Sequence, residues 1–216
     1  QFYKPELLSD SQHSVTLESK LKRAIDANEL AVYYQVQVDL ETDLFVGAEA
    51  LVRWITPEGR IIPPDEFIPL AEQTGLIEAI GYNVLKQACQ HSVAWTQKGY
   101  PPLRIAVNVS PLQLERAGLA KRIGSIVSGM GIDPGLFEIE VTESAMMRHP
   151  ENAIRVLNEI REAGMNIALD DFGTGHSSLA CLKQFPFDVL KIDRSFIAQI
   201  DRGRDFAALV HAVAQL

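Results

Sequence analysis

Asp170 and Asp171 close an apolar run, Asn166-Ile167-Ala168-Leu169, and Phe172-Gly173-Thr174-Gly175 follows at once. Adjacent carboxylates at the mouth of a strand repel each other unless a cation lies between them. Other polar residues sit at or near the ends of apolar runs. Glu49 lies in Gly47-Ala48-Glu49-Ala50-Leu51-Val52-Arg53-Trp54, and Asn108 ends Ala106-Val107-Asn108. Glu143 follows Glu138-Ile139-Glu140-Val141-Thr142, and Lys191-Ile192-Asp193 closes the last run. Carboxylate and amide oxygens suit hard ions such as magnesium or manganese. No His or Cys joins the set, which disfavours zinc or copper. Bound divalent ions would reverse the local field, so a small anionic substrate is possible there despite the acidic residues.

Each residue has a bland alternative. Glu49 could alternate to a solvent face, Asn108 could be a turn residue, and Glu143 could simply start a helix. Lys191 could pair with Asp193 or Asp188. Glu138 and Glu140 are expected to face helices or solvent and are left out of the set. The bland readings would all have to hold together on successive strands.

The elements that must position these groups alternate along the chain. Strand-like segments run over 30–40, 44–55, 104–110, 137–142, 167–170 and 189–192. Helical patterns run over 65–75, 77–99, 112–129, 151–163, 177–184 and from about 205. Thr16 is the expected N-cap of a first helix, and residues 1–15 read as a linker. Strands interleaved with helices predict a parallel sheet with crossover helices. A closed eight-stranded α/β barrel usually needs about 250 residues. Six strands leave two open edges, so further strands or a partner are expected to complete the fold.

The chain has 216 residues, a formal net charge of -8 and no basic stripe of the kind that grips duplex nucleic acid. Cys89 and Cys181 form no Cys-x-x-Cys pair and read as reduced thiols of a cytoplasmic domain. No apolar run reaches the length of a membrane span, so no membrane contact is expected of this segment. The first residue is Gln, which suggests a piece of a longer protein.

In order and spacing, the motifs resemble the EAL domain, a bacterial cyclic-di-GMP-specific phosphodiesterase family. The matching segments are Tyr33-Tyr34-Gln35, Glu49-Ala50-Leu51-Val52-Arg53-Trp54, Pro63-Pro64-Asp65-Glu66-Phe67, Asn108-Val109-Ser110, Thr142-Glu143-Ser144, Asp170 through Gly175 and Lys191-Ile192-Asp193. The resemblance implies a TIM-like (βα)8 barrel whose first strand is antiparallel, with its final strands outside this sequence. It implies an EAL domain over 16–216, incomplete at its C-terminus. Glu49, Asn108, Glu143 and Asp170 would hold one ion, and Asp170 and Asp171 the second, as two Mg2+ or Mn2+. Lys191 would attend the nucleophilic water and count, with Glu49, Asp170 and Asp171, among the catalytic residues. Gln35, Leu51, Arg53, Pro64, Phe67 and Asp193 would line the dinucleotide site. The expected reaction opens cyclic di-GMP to linear pGpG. A homodimer and an upstream GGDEF or sensor domain are the expected partners.

Two positions depart from the family pattern. Val36 stands where Pro is common, and His176 stands where Tyr is usual in the loop from Phe172 to Ser178. Tuning of loop and pocket is expected from both, with pH sensitivity from His176. The family's last strands bring a further acidic ligand and a Gln, so a chain ending at Leu216 is expected to turn over weakly or not at all, and one that continues into those strands is expected to show the family's normal activity. Alternative functions are a cyclic-di-GMP receptor that does not cut and an inert scaffold that presents a dimer surface. Degenerate receptors lose metal ligands, and none of those present in this sequence is lost.

Overall fold

The computed structural model describes residues 5–173 and 184–198, with side chains described from residue 16 onward, Phe196 excepted. The chain forms two compact units: residues 1–108 with 125–133, and residues 109–124 with 134–216.

The first unit is built on a hairpin. Strand β1 (Leu30–Val38) pairs antiparallel with β2 (Phe45–Ile55), from Leu30 opposite Trp54 to Gln37 opposite Gly47. The Asp39 carboxylate fixes the connection. Its Oδ1 accepts from the Thr42 and Glu41 backbone N–H groups at 2.8 and 3.0 Å and from the Thr42 hydroxyl at 2.8 Å. Asp43 supplies the left-handed residue of that turn, φ 57. A short strand β3 (Ile61–Ile62) pairs antiparallel with the end of β2. Helix α2 (Pro64–Thr74) starts with Pro at its first position and stops at Gly75, φ 75. Helix α3 (Ile77–Gln97) then crosses back to β4 (Arg104–Asn108), which runs parallel to β2 with Glu49 opposite Ala106.

Ile77, Ile80, Val84, Leu85 and Ala88 give α3 its buried stripe. Gln87 Nε2 donates to the Leu30 carbonyl at 2.7 Å, and the Tyr34 hydroxyl lies 2.8 Å from His91 Nδ1. These contacts clamp α3 to β1. Burial and the neighbouring Cys89 push the Tyr34 hydroxyl well above its ordinary pKa, so it stays neutral as a hydrogen-bonding group.

The second unit carries three parallel strands: β5 (Phe137–Thr142), β6 (Asn166–Phe172) and β7 (Val189–Ile192). Helix α6 (Glu143–Arg148) begins directly at the end of β5, where the Thr142 hydroxyl accepts from the Ala145 N–H at 3.3 Å. Helix α7 (Pro150–Glu162) makes the crossover to β6 and buries Ala153, Val156, Leu157 and Ile160 at helical spacing. Asp188 bridges strand and helix: its Oδ2 accepts from the Ile167 N–H at 2.9 Å, and its Oδ1 lies 3.4 Å from Arg161 Nη2.

Three expectations need correction. Helix α1 (Pro5–Asp26) begins at Pro5 rather than Thr16, so most of the segment read as a linker is helical. Its Glu6-Leu7-Leu8 start consists of good helix formers, and Ser9, Asp10 and Ser11 do not outweigh them. The helix expected over 112–129 is two helices, α4 (Pro111–Leu114) and α5 (Leu119–Gly129). Gly118, φ 79, separates them in the left-handed conformation that a helix cannot continue. Seven strands, not six, occur among the described residues, because Ile61–Ile62 adds one. The antiparallel first strand is present as expected. Most of the helix expected over 177–184, the helix from about 205, most of the loop 172–178 and His176 lie outside the described residues.

Candidate metal and phosphodiester site

In the first unit, strand alternation sorts β2 into two faces. Ala48, Ala50 and Trp54 are buried in the core. Glu49, Leu51 and Arg53 occupy the intervening positions. Antiparallel pairing sets Gln35 opposite Glu49, Tyr33 opposite Leu51 and Ala31 opposite Arg53. Directly paired residues share a face, so Gln35, Glu49, Leu51 and Arg53 lie on one surface, polar except for Leu51. Asn108 ends β4 and donates its Nδ2–H to Glu49 Oε1 at 2.8 Å. With the amide nitrogen used as donor, Oδ1 is the Asn108 atom able to ligate a hard cation.

The other substrate-lining candidates of this unit divide. Arg53 donates from Nη1 to the Val52 carbonyl at 2.8 Å, which holds its guanidinium near the strand. Pro64 is half-buried at the first turn of α2. Phe67 is fully buried and meets Trp54 edge to face, centroids 5.8 Å apart, so the structure places it in the core.

In the second unit, the β5–β6 register sets Glu138 opposite Asn166, Glu140 opposite Ala168 and Thr142 opposite Asp170. Lys191 on β7 reaches across this surface. Its Nζ lies 2.6 Å from Glu140 Oε1 and 3.3 Å from Asp170 Oδ2. Carboxylate oxygens of Glu140 and Asp170 come within 4.8 Å of each other and belong to a cluster able to hold a metal ion. Glu140 is fully buried. A carboxylate so buried needs a cation, because removing it from water alone costs several kcal/mol. In this structure the Lys191 ammonium occupies that role. The all-oxygen donors and a cation already held between two carboxylates fit a hard divalent ion.

Glu140 is the residue that sequence reasoning missed, since it was set aside as facing helices or solvent. Glu143 was expected at the ion, and it is not a member of the acidic cluster that includes Glu140 and Asp170. It is buried at the first position of α6, past the end of the strand. The signal lay in the period of two: Glu138, Glu140 and Thr142 alternate with Phe137, Ile139 and Val141.

Asp171 has φ 53, and its N–H donates to Asp170 Oδ1 at 2.9 Å. The β6–β7 ladder shifts register between Leu169 and Phe172. The irregularity breaks plain alternation across the two aspartates, so they need not point to opposite faces. Asp193 Oδ1 accepts from the Ser195 N–H at 2.9 Å and caps the short Arg194–Ile197 helix. Hydrogen bonds from the Ser195 side chain and backbone hold the Asp193 carboxyl below its ordinary pKa. Lys191 therefore pairs with Glu140 and Asp170, and Asp188 with Arg161, rather than with one another.

The EAL domain model matches residues 18–216. The chain belongs to the EAL domain family. The bifunctional diguanylate cyclase/cyclic di-GMP phosphodiesterase MucR of Pseudomonas aeruginosa is 38% identical over 215 residues, covering 100% of this chain and 31% of that protein. The cyclic di-GMP phosphodiesterase NbdA of the same organism is 37% identical over 218 residues, covering 100% of this chain and 28% of NbdA. A solved structure of the PaMucR phosphodiesterase in complex with c-di-GMP superposes with a TM-score of 0.85 at 40% identity, covering 91% of this chain and 80% of that one. This EAL domain therefore has the α/β fold of the solved, TIM-like EAL structures. It spans about a quarter to a third of the length of its curated relatives. Among the described residues, no helix is long and apolar enough to cross a membrane.

Proposed function

We propose that this EAL domain hydrolyses cyclic di-GMP to linear pGpG in a reaction that depends on two divalent ions, magnesium or manganese. The observation that carries the reading is the Lys191 ammonium held against the buried Glu140 carboxylate and the half-buried Asp170 carboxylate. Family membership and the cyclic-di-GMP phosphodiesterases among the relatives support it. Glu49 and Asn108, joined by their hydrogen bond, would supply oxygen donors from the first unit. Glu140, Asp170 and Asp171 would supply them from the second. When bound, such ions neutralise the phosphodiester and make a water more acidic.

The chain's own residues do the rest. Lys191 favours a hydroxide near Asp170 electrostatically and can return a proton to the departing ribose oxygen. Gln35 and Arg53 share the Glu49 face and orient the dinucleotide by hydrogen bonds and charge. Glu143 stands at the start of α6 and acts on the fold around the site rather than as an ion ligand. In the full-length protein the domain would act in the cytoplasm, behind an upstream GGDEF or sensor domain and as a homodimer.

Incubation with cyclic di-GMP and either Mg2+ or Mn2+ tests the reading. Linear dinucleotide should accumulate and should cease with EDTA. Tight binding with no product in either metal would instead identify a receptor, and neither binding nor product would identify a scaffold.

A further inference from the structure

Tyr33 is an exposed aromatic residue on the Glu49 face, and the proposed reaction assigns it no work. It is 47% exposed, directly opposite Leu51, and two residues from Gln35 on the same face. Its neighbour Tyr34 is spent on packing: its hydroxyl meets His91 and its ring meets Trp95 edge-on, centroids 4.9 Å apart. Gly47, further along that face, is covered by the Gln37 side chain. A Cβ there would come 2.7 Å from Gln37 Oε1 and 3.0 Å from the Arg104 carbonyl. An aromatic ring thus lies level with an aliphatic side chain, with an amide one step along β1 and a guanidinium one step along β2. That set suits a planar purine carrying hydrogen-bonding edges and joined to a phosphate. The ring stacks the base, the amide reads its edge, and the cation meets the phosphate.

We propose that Tyr33 is a base-contacting residue that stacks one guanine of the dinucleotide against the β1–β2 face. The inference rests on the reading that this chain binds cyclic di-GMP. A ring used for stacking works through its π-face, so the hydroxyl is dispensable. It also works by binding rather than by chemistry, so its loss raises KM and leaves kcat unchanged.

The test compares the full chain with Tyr33→Phe, Tyr33→Leu and Tyr33→Val by calorimetric titration with cyclic di-GMP and by steady-state turnover. Thermal melts check each fold, and the exposed position predicts small changes. The expected result is wild-type behaviour in Tyr33→Phe, and affinity about tenfold weaker in Tyr33→Leu and Tyr33→Val with kcat held. Wild-type affinity in the Leu or Val variant would overturn the assignment. A loss in Tyr33→Phe equal to that in Tyr33→Leu would overturn the stacking role in favour of the hydroxyl. If the unaltered chain fails to bind cyclic di-GMP, the functional reading itself falls and this inference with it.

Discussion

Lys191 and the buried Glu140 form a close ion pair. A proton-transferring group contributes about 10²–10⁴-fold to rate, so Lys191→Met should lower kcat by that range while cyclic di-GMP still binds. Glu140→Gln should cost at least about 100-fold in activity, whereas Glu143→Gln should weaken the apparent affinity for added metal far less. Metal titration of activity for the two variants checks that contrast. Asp171 adds a backbone demand of its own. Asn tolerates a positive φ better than Ala, so Asp171→Ala should be about 1 kcal/mol less stable than Asp171→Asn in urea unfolding. The two variants remove the same charge, so the comparison isolates conformation from chemistry. At this scale the sequence was an uneven guide. Adjacent aspartates and the Glu49 motif stand out as written residues. Glu140 does not, because a Glu in an apolar strand looks the same whether it meets solvent or a lysine from a strand fifty residues later.

The strands place these groups by their period of two. Alternation on β2 separates the Glu49 face from the Trp54 core, and alternation on β5 separates Glu140 from Ile139 and Val141. Registers then bring the partners opposite: Gln35 to Glu49, and Thr142 to Asp170. The β1–β2 register is pinned where Gln37 leans over Gly47. Gly47→Ala would press its methyl group on Gln37 Oε1 and on the Arg104 carbonyl. The glutamine tip can move but the backbone oxygen cannot, so a loss of about 1–3 kcal/mol is expected. Adding Gln37→Ala should restore only part of it, as denaturant melts of the single and double variants would show. Strand positions were legible because apolar runs bounded by turn residues announce them. Helix limits were less so. Gly118 breaks an otherwise continuous pattern only through its φ, and the start of α1 obeys propensity over a stretch whose composition resembles a linker. Phe67 sits in a family motif, yet its place is set by the Trp54 ring.

For the whole molecule, Asp39 and Cys89 contribute to its response to pH with opposite signs. The Asp39 carboxyl is lowered by hydrogen bonds from the Thr42 side chain and backbone. A depressed folded pKa stabilises above the unfolded value, near 3.9, and the contribution disappears as pH falls through the folded one. Thermal melts between about pH 5 and pH 2 should therefore show a steeper decline for the parent chain than for Asp39→Ala. Burial pushes the Cys89 thiol up to about 11. A raised folded pKa gives the opposite sign: the contribution is complete below the unfolded value, near 8.5, and is lost as pH rises towards 11. Cys89 should accordingly resist iodoacetamide at pH 8 in the native protein and react readily in urea, as peptide mass spectrometry would record.

The central claim is that strand-borne oxygens and Lys191 together cleave a cyclic dinucleotide, with Glu140 among the indispensable groups. Chromatography of cyclic di-GMP incubated with Mn2+ and either the unaltered chain or Glu140→Gln tests it most directly. The account predicts linear pGpG from the former and a rate at least about 100-fold lower from the latter, with the fold intact by circular dichroism. Equal rates from both proteins would contradict it, and so would a fully bound substrate that the unaltered chain leaves cyclic.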